Sequence, residues 1–155
     1  MIQIKSYIDG AVLHESSKGS IRLALEEAVK MEARLEGANL YRANLNGANL
    51  YRANLRGANL RDTNLNGAYL KGVDLKDANL GGANLYDANL YHAYLPGVSL
   101  VDANLHRASL EDANLEDANL DGANLYRANL NGANLDGANL EGAKGLKLSG
   151  RRSGR

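Results

Sequence analysis

Leucine occupies every fifth position from Leu35 to Leu140, in 22 consecutive registers. The residue two before each Leu is Ala, except at Thr63, Val73 and Val98. The residue directly before Leu is most often Asn. A fixed period of this kind indicates a repeat architecture, in which one small structural unit stacks on the next.

A period of five fits neither regular secondary structure. Five residues turn an α-helix by about 500°, so the leucines would spiral around it without forming an apolar stripe. In a straight strand, side chains alternate between faces, so Leu40 and Leu45 would point to opposite sides. The leucines share one side only if the chain bends once per unit. We therefore predict a stack of coils with Leu and Ala inside and the other three positions outside.

The two residues after each Leu are predicted to form the bend. The second of them is Gly in 11 of the 22 units, and Gly readily adopts the positive φ that a type II turn requires. The chain's one proline, Pro96, is the first of such a pair and precedes Gly97. Pro-Gly is the preferred central pair of a type II turn, which supports this placement.

The unit Ala38-Asn39-Leu40-Tyr41-Arg42 resembles the A(D/N)Lxx signature of pentapeptide-repeat proteins, and the resemblance covers residues 33 to about 143. It implies an all-β solenoid, a right-handed quadrilateral parallel β-helix with four pentapeptides in each coil. Residues 35–143 would then form about 5.5 coils. Leucines 20 residues apart would stack in the core, as in the series Leu40, Leu60, Leu80, Leu100, Leu120 and Leu140.

The implied coil predicts columns of outward side chains 20 residues apart. We expect one column of amides to hydrogen-bond along the stack and to nearby backbone. Three pairs of charged residues should also meet. The amide column is Asn44, Asn64, Asn84, Asn104 and Asn124, and the pairs are Arg42 with Asp62, Asp87 with Arg107, and His92 with Asp112.

Residues 1–34 do not repeat and are predicted to fold as a hairpin and a helix. Ile2, Ile4 and Ile8 suggest a short strand, and Asp9-Gly10 is a hairpin signal. Ser20 fits the N-cap of a helix over about 21–34. A solenoid end exposes apolar core and strand edges, so we interpret this segment as an N-terminal cap. The alternative is a separate module that binds a partner.

Residues 144–155 are predicted to form a basic, flexible tail. No amphipathic helix is visible there to cover the last coil. An open edge favours pairing with another copy, so we expect any homodimer to form through the C-terminal end.

Composition bounds the class of protein. The chain has no Cys, which excludes disulfides and thiolate metal sites and suits a reducing cytoplasm, where we expect the protein to lie. No apolar run approaches the roughly 18 residues of a membrane helix. The net charge is zero, which does not favour nucleic-acid binding.

The charge is unevenly distributed along the repeats. Residues 36–76 carry a net charge of +3 and residues 77–143 a net charge of −8. Duplex DNA carries about one negative charge per 1.7 Å of axis, and the acidic half approaches that density. Two interpretations remain open, a solvated exterior and a partner-binding surface. The candidate residues for such a surface are Asp102, Glu116, Asp117, Asp121, Asp136 and Glu141.

Most tyrosines occupy outward positions, where Tyr serves either ordinary packing or interface contacts. Tyr86, Tyr91 and Tyr94 lie close in sequence to His92, and we take them as a candidate neutral contact patch. The three histidines lack metal-ligand spacing, and no nucleophile or phosphate-binding motif is present. A filled, narrow core also leaves no substrate cavity. We predict no enzymatic activity and no cofactor or metal.

Three functions are consistent with this sequence. The resemblance implies a non-enzymatic protein that mimics DNA and modulates a DNA-acting enzyme, such as DNA gyrase or a nuclease of bacteria or phages. This chain has Asn where strongly acidic family members have Asp, so no target residue is carried across. The alternative is a self-assembling scaffold, because a basic half and an acidic half attract each other. Direct nucleic-acid binding through Arg42, Arg52, Arg56 and Arg61 is the third and least favoured function.

Overall fold

The computed structural model describes residues 1–146. The chain begins with a hairpin of two antiparallel strands, β1 (Ile2–Lys5) and β2 (Val12–Ser16), followed by the helix α1 (Ile21–Lys30). From there to residue 144, two-residue turns alternate with single bridging residues. Residues 147–155, which hold most of the predicted tail, lie outside the described residues.

Each bridging residue pairs in parallel with the residue 20 positions later, as Asn39 does with Asn59. The Leu40 amide donates to the Asn59 carbonyl at 2.8 Å, and the Asn59 amide donates to the Ala38 carbonyl at 2.9 Å. The predicted 20-residue period is therefore confirmed, with four pentapeptides in each layer. The bridges form ladder 1 (39, 59, 79, 99, 119, 139), ladder 2 (44 to 144), ladder 3 (49 to 129) and ladder 4 (54 to 134).

The turns between ladders form four columns, which we call A to D. Column A (41–42 to 141–142) follows ladder 1, column B (46–47 to 126–127) follows ladder 2, column C (51–52 to 131–132) follows ladder 3, and column D (36–37 to 136–137) precedes ladder 1. The second turn residue has a positive φ whether it is Gly47 (64°) or Arg42 (55°). The Ala43 amide closes its turn on the Leu40 carbonyl at 3.0 Å.

The leucines and alanines of the repeats form one continuous core, with Leu35 to Leu125 each at most 2% exposed. Thr63, which replaces Ala, is also fully buried. Its hydroxyl donates to the carbonyls of Leu60 and Leu40, so the polar atom is satisfied inside the core.

The predicted core position Leu140 is different, because this residue is only partly buried, as are Leu130 and Leu135. Among the described residues no further layer covers their C-terminal side. Leu140 still packs against the core, in the last layer that the described residues form.

The predicted amide column in ladder 2 is confirmed in part, because within the described residues no hydrogen bond joins the side chains of Asn84 and Asn64. Asn104 Nδ2 donates to Asn84 Oδ1 at 3.0 Å, and Asn124 Nδ2 donates to Asn104 Oδ1 at 3.1 Å. Each Oδ1 also accepts the backbone amide two residues later, as Asn84 does from Tyr86 at 3.2 Å. Asparagine therefore links successive layers and also fixes the turn beside it.

The hairpin and helix lie against the first layer. The Lys5 carbonyl accepts the Asn39 amide at 2.7 Å, and a carboxylate oxygen of Glu26 on α1 accepts the Asn49 amide at 3.0 Å. These contacts occupy backbone amides that would otherwise form an open edge. Ala24 and Leu25 of α1 are fully buried at this end.

The helix begins where predicted but ends at Lys30, four residues before position 34. The Ser20 side chain accepts the Leu23 amide, as an N-cap does. At the C-terminus Glu32 adopts a φ of 53°, and the Ala33 amide donates to the Ala28 carbonyl at 3.0 Å. This is a Schellman-type end whose left-handed position holds Glu where Gly is usual, so no stop signal is visible in the sequence.

Candidate interaction surfaces

The six candidate carboxylates lie in the two turn columns that flank ladder 1. Asp102, Asp121 and Glu141 belong to column A, while Glu116, Asp117 and Asp136 belong to column D. Backbone bonds fix the register, because the Asp102 amide donates to the Asp121 carbonyl and the Asp117 amide to the Asp136 carbonyl, both at 2.8 Å. We call these six side chains the acidic surface.

Between the two rows of carboxylates runs a polar strip formed by Ser99, Asn119 and Asn139 of ladder 1. Asn139 Nδ2 donates to Asn119 Oδ1 at 3.1 Å. The Asn119 oxygen also accepts the Asp121 amide at 3.1 Å, which holds the start of that turn. The acidic surface therefore consists of carboxylate rows on a backbone fixed by hydrogen bonds.

Among residues 1–146, none of the six carboxylates forms an ion pair, whereas four other acids of the repeats do, namely Asp62, Asp74, Asp87 and Asp112. Asp87 pairs with Arg107 at 2.7 Å, and His92 lies 4.0 Å from Asp112, as predicted. Like charges in neighbouring layers repel each other and give this side of the molecule a negative potential. The surface is electrostatically suited to a positively charged partner.

A shallow groove of about 420 Å³ continues this surface toward the N-terminus. It opens where column A has two glycines in succession, Gly81 and Gly82, and where ladder 1 has Ser99 in place of Asn. Arg61 and Asp102 are among the residues that line the groove. The acidic surface thus adjoins a groove that forms where Gly81, Gly82 and Ser99 leave little side-chain bulk.

The cations of residues 36–76 do not form a comparable basic surface. They are distributed over columns A, C and D, and most already have partners within the chain. Arg42 and Arg61 each lie 3.8 Å from Asp62, and Arg56 lies 3.3 Å from Asp74. Three cation–π pairs add to these contacts, Arg42 with Tyr41 at 4.9 Å, Arg52 with Tyr51 at 5.0 Å and Lys71 with Tyr91 at 4.9 Å.

The expected patch of Tyr86, Tyr91 and Tyr94 is divided among three places. Tyr86 lies in column B and stacks on His106 at 5.4 Å between ring centroids. Tyr91 lies in column C against His92 at 4.0 Å, and Tyr94 is in ladder 4. Within the part of the chain that the structure describes, these three tyrosines make no ring contact with one another.

A tyrosine pair that the sequence analysis missed joins two neighbouring layers. Tyr51 and Tyr69 stack at 5.9 Å, and each is 39% exposed. The pair spans 18 residues, because the first turn residue reaches the ladder residue of the next layer. Glu36 with Asn54 and Glu111 with Asn129 show the same spacing. A search for complementary side chains at this spacing would have found all three pairs.

Within the described residues, no group of three or more His, Cys, Asp or Glu side chains is arranged to hold a metal ion. His14 lies 3.3 Å from Glu27 in the cap, and His106 packs on Tyr86. A hydrogen bond from the Ser16 side chain lowers the pKa of Glu27, with His14 as the next contributor. No helix in residues 1–146 has the length and apolar character needed to cross a membrane.

Comparison with known proteins identifies the repeat. A family profile described as pentapeptide repeats matches in eight copies, over residues 31–67, 63–107, 83–120 and 108–144. A comparison with curated proteins finds no match.

Solved structures of similar proteins include the pentapeptide-repeat protein Rfr23 of the cyanobacterium Cyanothece 51142, at 35% identity over 72% of this chain and 84% of that chain, with a TM-score of 0.46. HetL of Nostoc sp. strain PCC 7120, a pentapeptide-repeat protein involved in heterocyst differentiation regulation, is 40% identical over 71% of this chain and 56% of that one, with a TM-score of 0.30. The plasmid-mediated fluoroquinolone resistance protein QnrB1 is 20% identical over 71% of both chains, with a TM-score of 0.49.

Proposed function

Because the chain belongs to the pentapeptide-repeat family, we propose that it is a non-enzymatic protein-interaction rod whose acidic surface binds a basic surface of a partner protein. The observation that carries the proposal is the pair of carboxylate rows flanking ladder 1, none of which is ion-paired within residues 1–146. If these acids served only to keep the surface solvated, they could lie on any side of the molecule. They would not need to flank a single ladder.

We infer that the four ladders are the sides of a right-handed quadrilateral β-helix with about 5.5 coils, as the family resemblance implies. Because successive layers lie about 4.8 Å apart, carboxylates in successive layers of one column lie at about that distance from each other. Duplex DNA presents about one negative charge per 1.7 Å of axis, summed over two strands. Two carboxylate rows on a rigid rod therefore imitate a short phosphate surface.

The most specific form of the proposal is DNA mimicry. A DNA-binding protein neutralises phosphates with Lys and Arg side chains, and carboxylates can form ion pairs with the same side chains. DNA gyrase and nucleases are the candidate partners, and binding here would exclude their DNA. Tyr86, Tyr91 and Tyr94 remain candidate contacts outside the acidic surface.

The test is binding of the purified chain to DNA gyrase and to a nuclease, with competition by duplex DNA. The triple substitution Asp121→Asn, Asp136→Asn and Glu141→Gln is expected to weaken binding by at least about tenfold, since charge-assisted contacts each contribute roughly 1 kcal/mol or more. A matched control, Glu15→Gln, Glu32→Gln and Glu111→Gln, removes the same charge elsewhere and should bind as the wild type does. Equal affinity of all three chains would reject the acidic surface as the binding site.

A self-assembling scaffold is the second candidate, favoured by the partly buried leucines of the last layer that the described residues form. Leu130, Leu135 and Leu140 are partly buried there, and a second copy meeting this end would form a homodimer. The hairpin and helix act in this proposal as a cap that closes the other end. Light scattering at low and at high salt distinguishes the two candidates, because a monomer under both conditions would exclude assembly.

A further inference from the structure

The chain contains three Asn-Gly pairs, and the fold places them in different surroundings. They are Asn46-Gly47, Asn66-Gly67 and Asn131-Gly132, and each occupies the two turn residues after a core Leu. In Asn-Gly, the Gly amide nitrogen can attack the Asn side-chain carbonyl, because Gly has no Cβ to obstruct the approach. The same reactive dipeptide therefore occurs three times in one molecule, in the same kind of turn.

Two of the pairs are held by the next layer. The Gly47 amide donates to the Asn66 carbonyl at 2.9 Å, and the Gly67 amide donates to the Tyr86 carbonyl at 2.8 Å. The leucines before these turns, Leu45 and Leu65, are fully buried. Attack requires the Gly nitrogen to leave its acceptor and the turn to change its dihedral angles, which both restraints oppose.

The third pair is held less firmly among the described residues, where its one hydrogen bond to another layer runs from the Asp112 amide to the Asn131 carbonyl at 2.9 Å. Among residues 1–146 the Gly132 amide has no backbone acceptor, because no further layer lies beyond its turn. The flanking core residues Leu130 and Ala133 are only partly buried. Local opening requires the least free energy where few buried contacts and few ladder hydrogen bonds must be broken.

We propose that Asn131 is a site of spontaneous deamidation. The Gly132 nitrogen forms a bond to Asn131 Cγ, the bond from Cγ to the side-chain nitrogen breaks, and the proton lost by Gly132 leaves with that nitrogen as ammonia. Water then opens the five-membered succinimide ring and gives aspartate or isoaspartate. The product carries one additional negative charge in column C, in the layer after Glu111 and Asp112.

One neighbouring group opposes the reaction. The Asp112 carboxylate lies directly beside Gly132, where it would contact any added Cβ. A negative charge at this distance disfavours loss of a proton from the Gly132 nitrogen. Deamidation of Asn131 is thus favoured by the weak restraint on its turn and slowed by the Asp112 carboxylate. Asp112→Asn should therefore accelerate it.

The experiment incubates the full chain at mildly alkaline pH and follows each site by mass spectrometry of tryptic peptides. Peptides 43–52, 62–71 and 128–144 each contain one Asn-Gly pair. In the folded protein we expect Asn131 to convert at least about tenfold faster than Asn46 and Asn66, as the difference in local opening predicts. In denaturant the three sites should convert at similar rates.

Two results would overturn the proposal. One is equal conversion of all three sites in the folded chain. The other is the same order of rates in the folded chain and in denaturant, which would assign the difference to neighbouring sequence. Asn131→Ser removes the signal from peptide 128–144 if the conversion occurs at Asn131, and a remaining signal would place it at another Asn of that peptide.

Discussion

The ring of Tyr51 stacks on that of Tyr69 in the next layer, with an angle of 20° between their planes. Tyr51 is the first residue of its turn and Tyr69 is a bridging residue of ladder 3. Arg56 and Asp74 stand in the same relationship at 3.3 Å. Side chains of neighbouring layers therefore contact each other both directly along a column and diagonally from a turn to a ladder.

The diagonal contact between the two tyrosines should contribute to stability. Tyr69→Ala is expected to lower the free energy of unfolding by about 0.5–1.5 kcal/mol beyond the loss of buried area, the usual contribution of an aromatic pair. Urea denaturation measures the change. Tyr126→Ala is the control, since Tyr126 is 53% exposed and shows no aromatic partner among residues 1–146. Equal losses in both variants would contradict a specific contribution from the stack.

Core leucines should differ in importance according to their layer. Leu80→Ala is expected to cost about 2–5 kcal/mol, because Leu80 is fully buried and the layers on both sides prevent collapse of the cavity. Leu140→Ala should cost less than half as much, because Leu140 is partly buried in the last layer of the described residues. Thermal unfolding of the two variants tests this, and an equal loss would show that the C-terminal end is covered in solution.

Two glycines with the same backbone conformation should respond differently to a methyl group. Gly47 (φ 64°) and Gly82 (φ 67°) both lie in the left-handed region. Replacing either one by Ala should lower the free energy of unfolding by roughly 1–2 kcal/mol through backbone strain. An added Cβ at Gly47 meets no atom within 4 Å, whereas at Gly82 it meets the Asp62 carboxylate.

Gly82→Ala should therefore be the more destabilising change. Adding Asp62→Ala should remove the difference, as a double-mutant cycle on stability would show. Additive effects of the two substitutions would mean that the carboxylate moves aside at no cost.

The cap should lose stability in acid. The pKa of Glu27 is lowered by the Ser16 side chain and then by His14, and the pKa of Asp9 is lowered by hydrogen bonds from Ser6 and from the Ala11 amide. Groups with a depressed folded-state pKa stabilise the fold above their unfolded pKa. That stability is lost as the pH falls through the folded-state pKa.

Circular dichroism of the helix during an acid titration measures the effect. Glu27→Gln should flatten the dependence on pH, and adding Asp9→Asn should flatten it further. An unchanged titration in the double variant would assign the acid response to other carboxylates.

The sequence predicted the features that repeat and missed those that depend on a single place. The period, the turns and pairs such as Asp87–Arg107 follow from regular spacing, since every layer has the same backbone. The end of α1 was missed because Glu32 occupies a left-handed position with a side chain that signals no stop. The partial exposure of Leu140 arises because it lies in the last layer, and a repeat pattern does not specify how its final layer is covered.

The acidic surface follows from the repeat period, whereas the tyrosine patch does not. Its six residues share one side because the 20-residue period, which is visible in the sequence, places them in columns A and D on either side of ladder 1. The tyrosine patch was proposed from proximity in sequence, which is a poor guide here. Tyr91 lies five positions after Tyr86, and that step moves the chain from column B to column C.

The 20-residue spacing of the bridges also determines which insertions the molecule can accept. Duplication of one whole layer would lengthen the rod and return every later side chain to its own column. Duplication of a single pentapeptide would preserve the core equally well, yet it would rotate all later columns by one position relative to the cap. Such a chain can change length while keeping its binding pattern in phase, or turn that pattern to a new direction without altering the packing inside.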